Sequence, residues 1–206
     1  MQDNRRPITS RSQRWAVRLA TLLIKHDISP NQISVASIGF AATAAASMAA
    51  SIGVLASLVA IAFIQLRLVC NLLDGMVAIE GGKQSALGSL YNEFPDRIAD
   101  SLLIVTLGYA AASPSLGWFA ALAAALTAYV RVFGGALGLK QTFAGPMAKQ
   151  HRMAVMTAGL ALNIPESLLF STHHSLLVAL IIIAAGSVVT CVARTRTISG
   201  QLKEAQ

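Results

Sequence analysis

The chain has 206 residues, of which 55% are hydrophobic and 12% charged, and its net charge is +7. So apolar a composition excludes an ordinary soluble domain and indicates a polytopic membrane protein. The basic excess needs no nucleic-acid partner, because most of it is collected at the ends of apolar segments, where a membrane face rich in anionic lipid accounts for it.

Residues 10–26 alternate arginine with Trp15, Ala16, Leu19, Leu22 and Leu23 at helical spacing. This predicts an amphipathic helix lying in the membrane interface. It does not lead into a short apolar core with a cleavage site, so no cleavable signal is expected. Ser29, Pro30 and Gln32 then supply the N-cap, first-turn proline and capping box of a helix start. A span needs roughly 20 apolar residues. Six are expected, at about 30–51, 54–78, 86–111, 115–137, 152–165 and 173–193, the fifth being the shortest. The fold class is therefore an all-α integral membrane protein, one domain over 1–206. It divides into an interfacial helix (1–28), a six-helix bundle (30–193) and a tail (194–206).

Lys and Arg occur before span one, between spans two and three, between four and five, and after six. The connections near 52–53, 112–114 and 166–172 hold none. That alternation predicts both termini on the cytoplasmic side, as in a bacterial inner membrane. Cys70 and Cys191 sit in apolar segments without a CxxC pattern, so free thiols are expected. His173 and His174 read as interfacial polar residues before they read as a metal pair.

The charges inside the spans carry the functional signal. Arg67, Asn71 and Asp74 fall at i, i+4 and i+7, on one helical face. Asn92, Asp96 and Asp100 fall at i, i+4 and i+8, with Glu93 beside them and Pro95 loosening the helix next to the carboxylates. Ionisable groups at membrane depth are costly unless paired, metal-bound or facing water. Two antiparallel helices showing these faces to each other would gather oxygen ligands suited to Mg²⁺ or Mn²⁺. The candidate metal ligands are Asn71, Asp74, Asn92, Asp96 and Asp100. A glycine pair, Gly81-Gly82, lies in the connecting loop, and Arg131 lies within span four ahead of the basic loop residues Lys149 and Arg152.

This arrangement resembles the signature of the CDP-alcohol phosphotransferases, D-x2-D-G-x2-A-R-x8-G-x3-D-x3-D. The matching positions are Asn71, Asp74, Gly75, Ala78, Ile79, Gly88, Asn92 and Asp96, with every spacing kept. Asn replaces the first and third aspartates and Ile79 the arginine. The resemblance implies transfer of a substituted phosphate from a CDP-linked lipid, such as CDP-diacylglycerol, to an alcohol, with release of CMP. It implies Asp96 as the base and Gly75, Ala78, Ser85 and Gly88 as lining of the cytidine diphosphate pocket. Arg131, Lys149 and Arg152, with Gly145 ahead of them, match the places that hold an acceptor phosphate in members acting on phosphorylated alcohols. A homodimer is the family expectation. Two other readings stay open at this point: a degenerate relative that binds nucleotide or lipid without turnover, and a small transporter using the carboxylates as a proton relay.

Overall fold

A computed structural model describes residues 13–51 and 53–204. Arg5, Arg6, Arg11 and the first three residues of the expected interfacial helix lie outside the described residues. Those described form seven helices and no strand: α1 (Arg14–Lys25), α2 (Pro30–Ala50), α3 (Val54–Glu80), α4 (Gly88–Ala110), α5 (Pro114–Ala136), α6 (Lys149–Phe170) and α7 (His174–Glu204).

The start of α2 follows its sequence. Ser29 Oγ accepts the Gln32 amide at 3.2 Å, the Gln32 side chain accepts the Ser29 amide at 2.9 Å, and Pro30 occupies the first turn. Five helices, α2, α3, α5, α6 and α7, are long and apolar enough to cross a membrane, and the chain is an integral membrane protein. Helix α4 has 23 residues, about 34 Å at 1.5 Å per residue, but carries Glu93, Asp96, Arg97 and Asp100.

Two helices differ from expectation. Helix α6 is longer than 152–165, because polar turns extend both ends: Lys149 to Arg152 before the apolar run, and Glu166 after Pro165. Helix α7 does not stop at 193 but runs to Glu204, through the segment expected as a tail. One face of that extension is buried, through Arg194 and Ile198. Packing on the bundle thus keeps a polar stretch helical where hydropathy alone marks an end.

The main core joins α2 to α7 through Ile64, Leu103, Leu107, Met156, Leu160 and Leu180, among others. A second, smaller core seats α1 on α3 through Ala16, Ala20, Leu73 and Val77, leaving Trp15, Leu19 and Leu22 of α1 exposed. Helix α4 packs on α2 and α5, and α6 on α3 and α7. The α4–α5 hairpin is drawn tight at Gly108 and Gly117, where a β-carbon on Gly108 would lie 2.5 Å from the Gly117 Cα. Between α1 and α2, Asp27 bonds Lys83 Nζ at 2.7 Å. This bond, with the ammonium charge, holds the exposed Asp27 carboxyl below its usual range.

Candidate functional site

The polar stripes of α3 and α4 border a common space at one end of the bundle, where α1, the 81–87 loop and the 137–148 loop gather. They line a cavity of about 1310 Å³. From α3, Asp74 projects into it with both oxygens anchored by neutral donors. Ser34 Oγ of α2 donates to Oδ2 at 2.8 Å, and the Gly75 amide donates to Oδ1 at 2.6 Å. One turn earlier Asn71 lines the same wall, and its buried Nδ2 has no partner. Gly75, Ala78, Ser85 and Gly88 also border the cavity and contribute only small side chains to it.

From α4 come Asn92, Glu93, Asp96 and Arg97. Asp96 is 5% exposed. Lys149 Nζ donates to its Oδ2, and Arg67 Nη2 lies 3.5 Å from its Oδ1. Pro95 sits inside α4 immediately before it, at the point where the helix cannot form its usual backbone bond to Tyr91. Asp100, one turn deeper, does not line the cavity. Its oxygens are taken by Arg67 Nη2 at 2.6 Å and Arg152 Nη2 at 2.7 Å. Glu93 is paired with Arg131. Glu93 and Asp100, the carboxylates that flank Asp96 on α4, are thus both engaged by arginines.

The opposite wall is basic. Arg131 of α5 is held by Glu93, by Gln141 Oε1 at 2.7 Å and by the Phe143 ring, whose centroid is 5.7 Å away. Lys149 and Arg152 project from the first turn of α6. Arg152 is 1% exposed and also donates to the Met147 carbonyl at 2.9 Å. The loop that delivers them is pressed onto α7. Gly145 has φ +100°, and a β-carbon there would come within 2.6–2.8 Å of Thr190, so only glycine fits. The Met147 amide then donates to Thr190 Oγ1 at 2.8 Å.

Of the residues singled out from sequence, the structure brings Asn71, Asp74, Asn92, Asp96, Arg131, Lys149 and Arg152 around one cavity. Asp100 and Gly145 lie behind it. Three contributors were not anticipated. Ser34 lies one turn into α2, and nothing in its local pattern points to Asp74, 40 residues away. Thr127 borders the cavity from α5. Arg194 reaches it from the extension of α7, donating from Nε to the Ala144 carbonyl at 3.1 Å and from Nη1 to the Thr127 carbonyl. Its signal was an arginine directly after an apolar span, which the positive-inside pattern absorbed. Helix α7 therefore contributes to the cavity lining through its extension past residue 193.

The donors suit a hard cation. Among the described residues no three His, Cys, Asp or Glu side chains gather as a metal group. Any divalent ion here would rest on the carboxylates of Asp74 and Asp96 and the amides of Asn71 and Asn92. Asn71 and Asn92 bring amide oxygens to the cavity lining, and hard oxygen donors are what Mg²⁺ and Mn²⁺ take.

No family model matches the chain. It is 32% identical over 193 residues to the archaetidylinositol phosphate synthase of Aeropyrum pernix, covering 92% of this chain and 93% of that protein. Two crystal structures of the phosphatidylinositol phosphate synthase of Mycobacterium tuberculosis share the fold at 18% identity and a TM-score of 0.73. One, with manganese and citrate, matches over 89% of this chain and 88% of that one; the other, with CDP-DAG bound, matches over 90% and 94%. The relative's identity across nearly the whole chain and the kept motif spacing lead to one conclusion. The chain belongs to the CDP-alcohol phosphotransferase family.

Proposed function

We propose that this protein transfers the substituted phosphate of a CDP-linked lipid to a phosphorylated alcohol, foremost an inositol phosphate, releasing CMP. The observation that carries this reading is the division of one cavity. Asn71, Asp74 and Asn92 come from α3 and α4, Arg131, Lys149, Arg152 and Arg194 from α5, α6 and α7, and Asp96, bonded to Lys149, stands between the two groups. The first group suits a metal-bound diphosphate and the second an acceptor phosphate. The 32% identity to an archaetidylinositol phosphate synthase supports the choice of acceptor.

Asn71, Asp74, Asn92 and Asp96 would hold Mg²⁺ or Mn²⁺. When bound, such an ion neutralises charge that develops on the diphosphate oxygens. The protein's own groups do the rest. Gly75, Ala78, Ser85 and Gly88 leave room for the cytidine diphosphate against the backbone. Arg131 and Arg152 orient the acceptor through its phosphate, and Asp96 accepts the proton of the attacking hydroxyl. The new bond forms from that oxygen to the β-phosphorus, and the bond to the bridging oxygen breaks, so CMP leaves with the electron pair. Orientation follows the charge: Lys83, Lys140, Lys149, Arg196 and Lys203 mark the cavity end as cytoplasmic, while the turns at 51–53, 111–113 and 171–173 carry no Lys or Arg.

A second reading has a specific observation behind it. Asn71, Asn92 and Ile79 remove two carboxylates and a guanidinium from the motif, as expected of a relative that binds without turnover. One experiment separates the two. Purified protein is given CDP-diacylglycerol, inositol phosphate and Mn²⁺, and CMP is measured beside calorimetric binding of CMP with and without Mn²⁺. Metal-dependent binding with CMP release supports the transferase. Metal-dependent binding without release identifies the degenerate relative.

A further inference from the structure

We propose that Asp100 is a positioning residue that sets Arg152 and Asp96 in register through Arg67, and is not a metal ligand. The inference rests on the transferase reading for the roles of Arg152 and Asp96. Its geometry is independent of that reading. The pattern Asn92, Asp96, Asp100 groups the last residue with the ligands. In the fold, however, Asp100 is 4% exposed and lies behind the cavity wall, with one oxygen on each of two guanidiniums. Arg67 is fully buried, and the same Nη2 that bonds Asp100 at 2.6 Å reaches Asp96 at 3.5 Å. Arg152 completes its fork on the Met147 carbonyl at 2.9 Å and Thr127 Oγ1 at 3.4 Å. A chain Asp96–Arg67–Asp100–Arg152 therefore links the base to the acceptor arginine across α3, α4 and α6.

The chain's two acids and two arginines balance one another, with Lys149 adding a cation at the Asp96 end, and these charges stay buried at tolerable cost only while the pairing is intact. Asp100 is the sole member bonded to both guanidiniums by short contacts. Without it, Arg67 is drawn fully onto Asp96, and Arg152 keeps only neutral acceptors. A metal ligand would need an oxygen facing the cavity, and neither oxygen of Asp100 does so.

The test compares Asp100→Asn with the charge-balanced pair Asp100→Asn/Arg67→Gln, which leaves the net charge of the chain unchanged and guards against misfolding of the single variant. Calorimetry reads Mn²⁺ in the presence of CMP, and separately reads inositol phosphate. Because binding is measured directly, the comparison stands whether or not the unaltered protein turns over. We expect inositol phosphate affinity to fall about tenfold in both variants, the loss of one charge-assisted contact, while Mn²⁺ affinity weakens only in Asp100→Asn, where Arg67 competes at Asp96, and stays close to that of the unaltered protein in the charge-balanced pair. Asp100→Glu should restore part of that affinity. A collapse of Mn²⁺ binding in both variants would make Asp100 a ligand and overturn the proposal. So would unchanged affinity for inositol phosphate.

Discussion

The two walls of the cavity bury carboxylates in different ways. On the α2–α3 side, Asp74 is held by a hydroxyl and a backbone amide, both neutral, so its negative charge stays uncompensated by any direct ion pair. On the other side Glu93 and Asp100 are paired with arginines, Asp96 at the junction meets Lys149 and Arg67, and Arg131, Lys149, Arg152 and Arg194 line the cavity beyond it. A buried carboxylate with neutral donors attracts a cation from outside, whereas a region with cations in excess attracts an anion. The difference is what the proposed function draws on, a cation beside Asp74 and an anion beside the arginines.

The largest expected effect lies where the walls meet. Asp96→Asn keeps the shape but removes the base, so CMP release should fall by about 10²–10⁴-fold while Mn²⁺-dependent CMP binding persists. A rate near that of the unaltered protein would take Asp96 out of the role. On the basic wall, Arg131→Ala should raise the acceptor KM about tenfold or more and leave the KM of the CDP-lipid unchanged. A parallel rise in both would show that Arg131 serves structure. On the other wall, Asn71→Asp with Asn92→Asp should tighten Mn²⁺ binding by calorimetry without raising kcat, since overbinding of the ground state does not stabilise the transition state. If metal affinity is unchanged, the amides are not ligands.

The smallest effect is expected away from both walls. Asp27 is fully exposed and its carboxyl is held low by Lys83. The pair is intact above the ordinary carboxylate range and is lost as pH falls through the lowered value. Asp27→Asn should therefore lower thermal stability slightly at neutral pH, where the pair is intact, and change nothing below the lowered value, so that the acid-side decline disappears from thermal melts followed across pH.

The sequence by itself determined the elements and the ingredients. Hydropathy and helical period mark the apolar helices, since each must satisfy its backbone internally in lipid. The capping box of Ser29 and Gln32 is local chemistry and reads directly. The spacing of Asn71 to Asp96 placed the candidate ligands on facing stripes because helix geometry is regular. Partnerships were decided only by the tertiary structure. Nothing in the chain's order says that Glu93 goes to Arg131, that Ser34 holds Asp74, or that Asp100 divides itself between Arg67 and Arg152, partners 33 and 52 residues away. Nor does hydropathy reveal that α7 continues past residue 193 and carries Arg194 to the cavity, because that polar turn is kept helical by packing. Buried charges are assigned by the three-dimensional distances between them, and those exist only once the helices have packed.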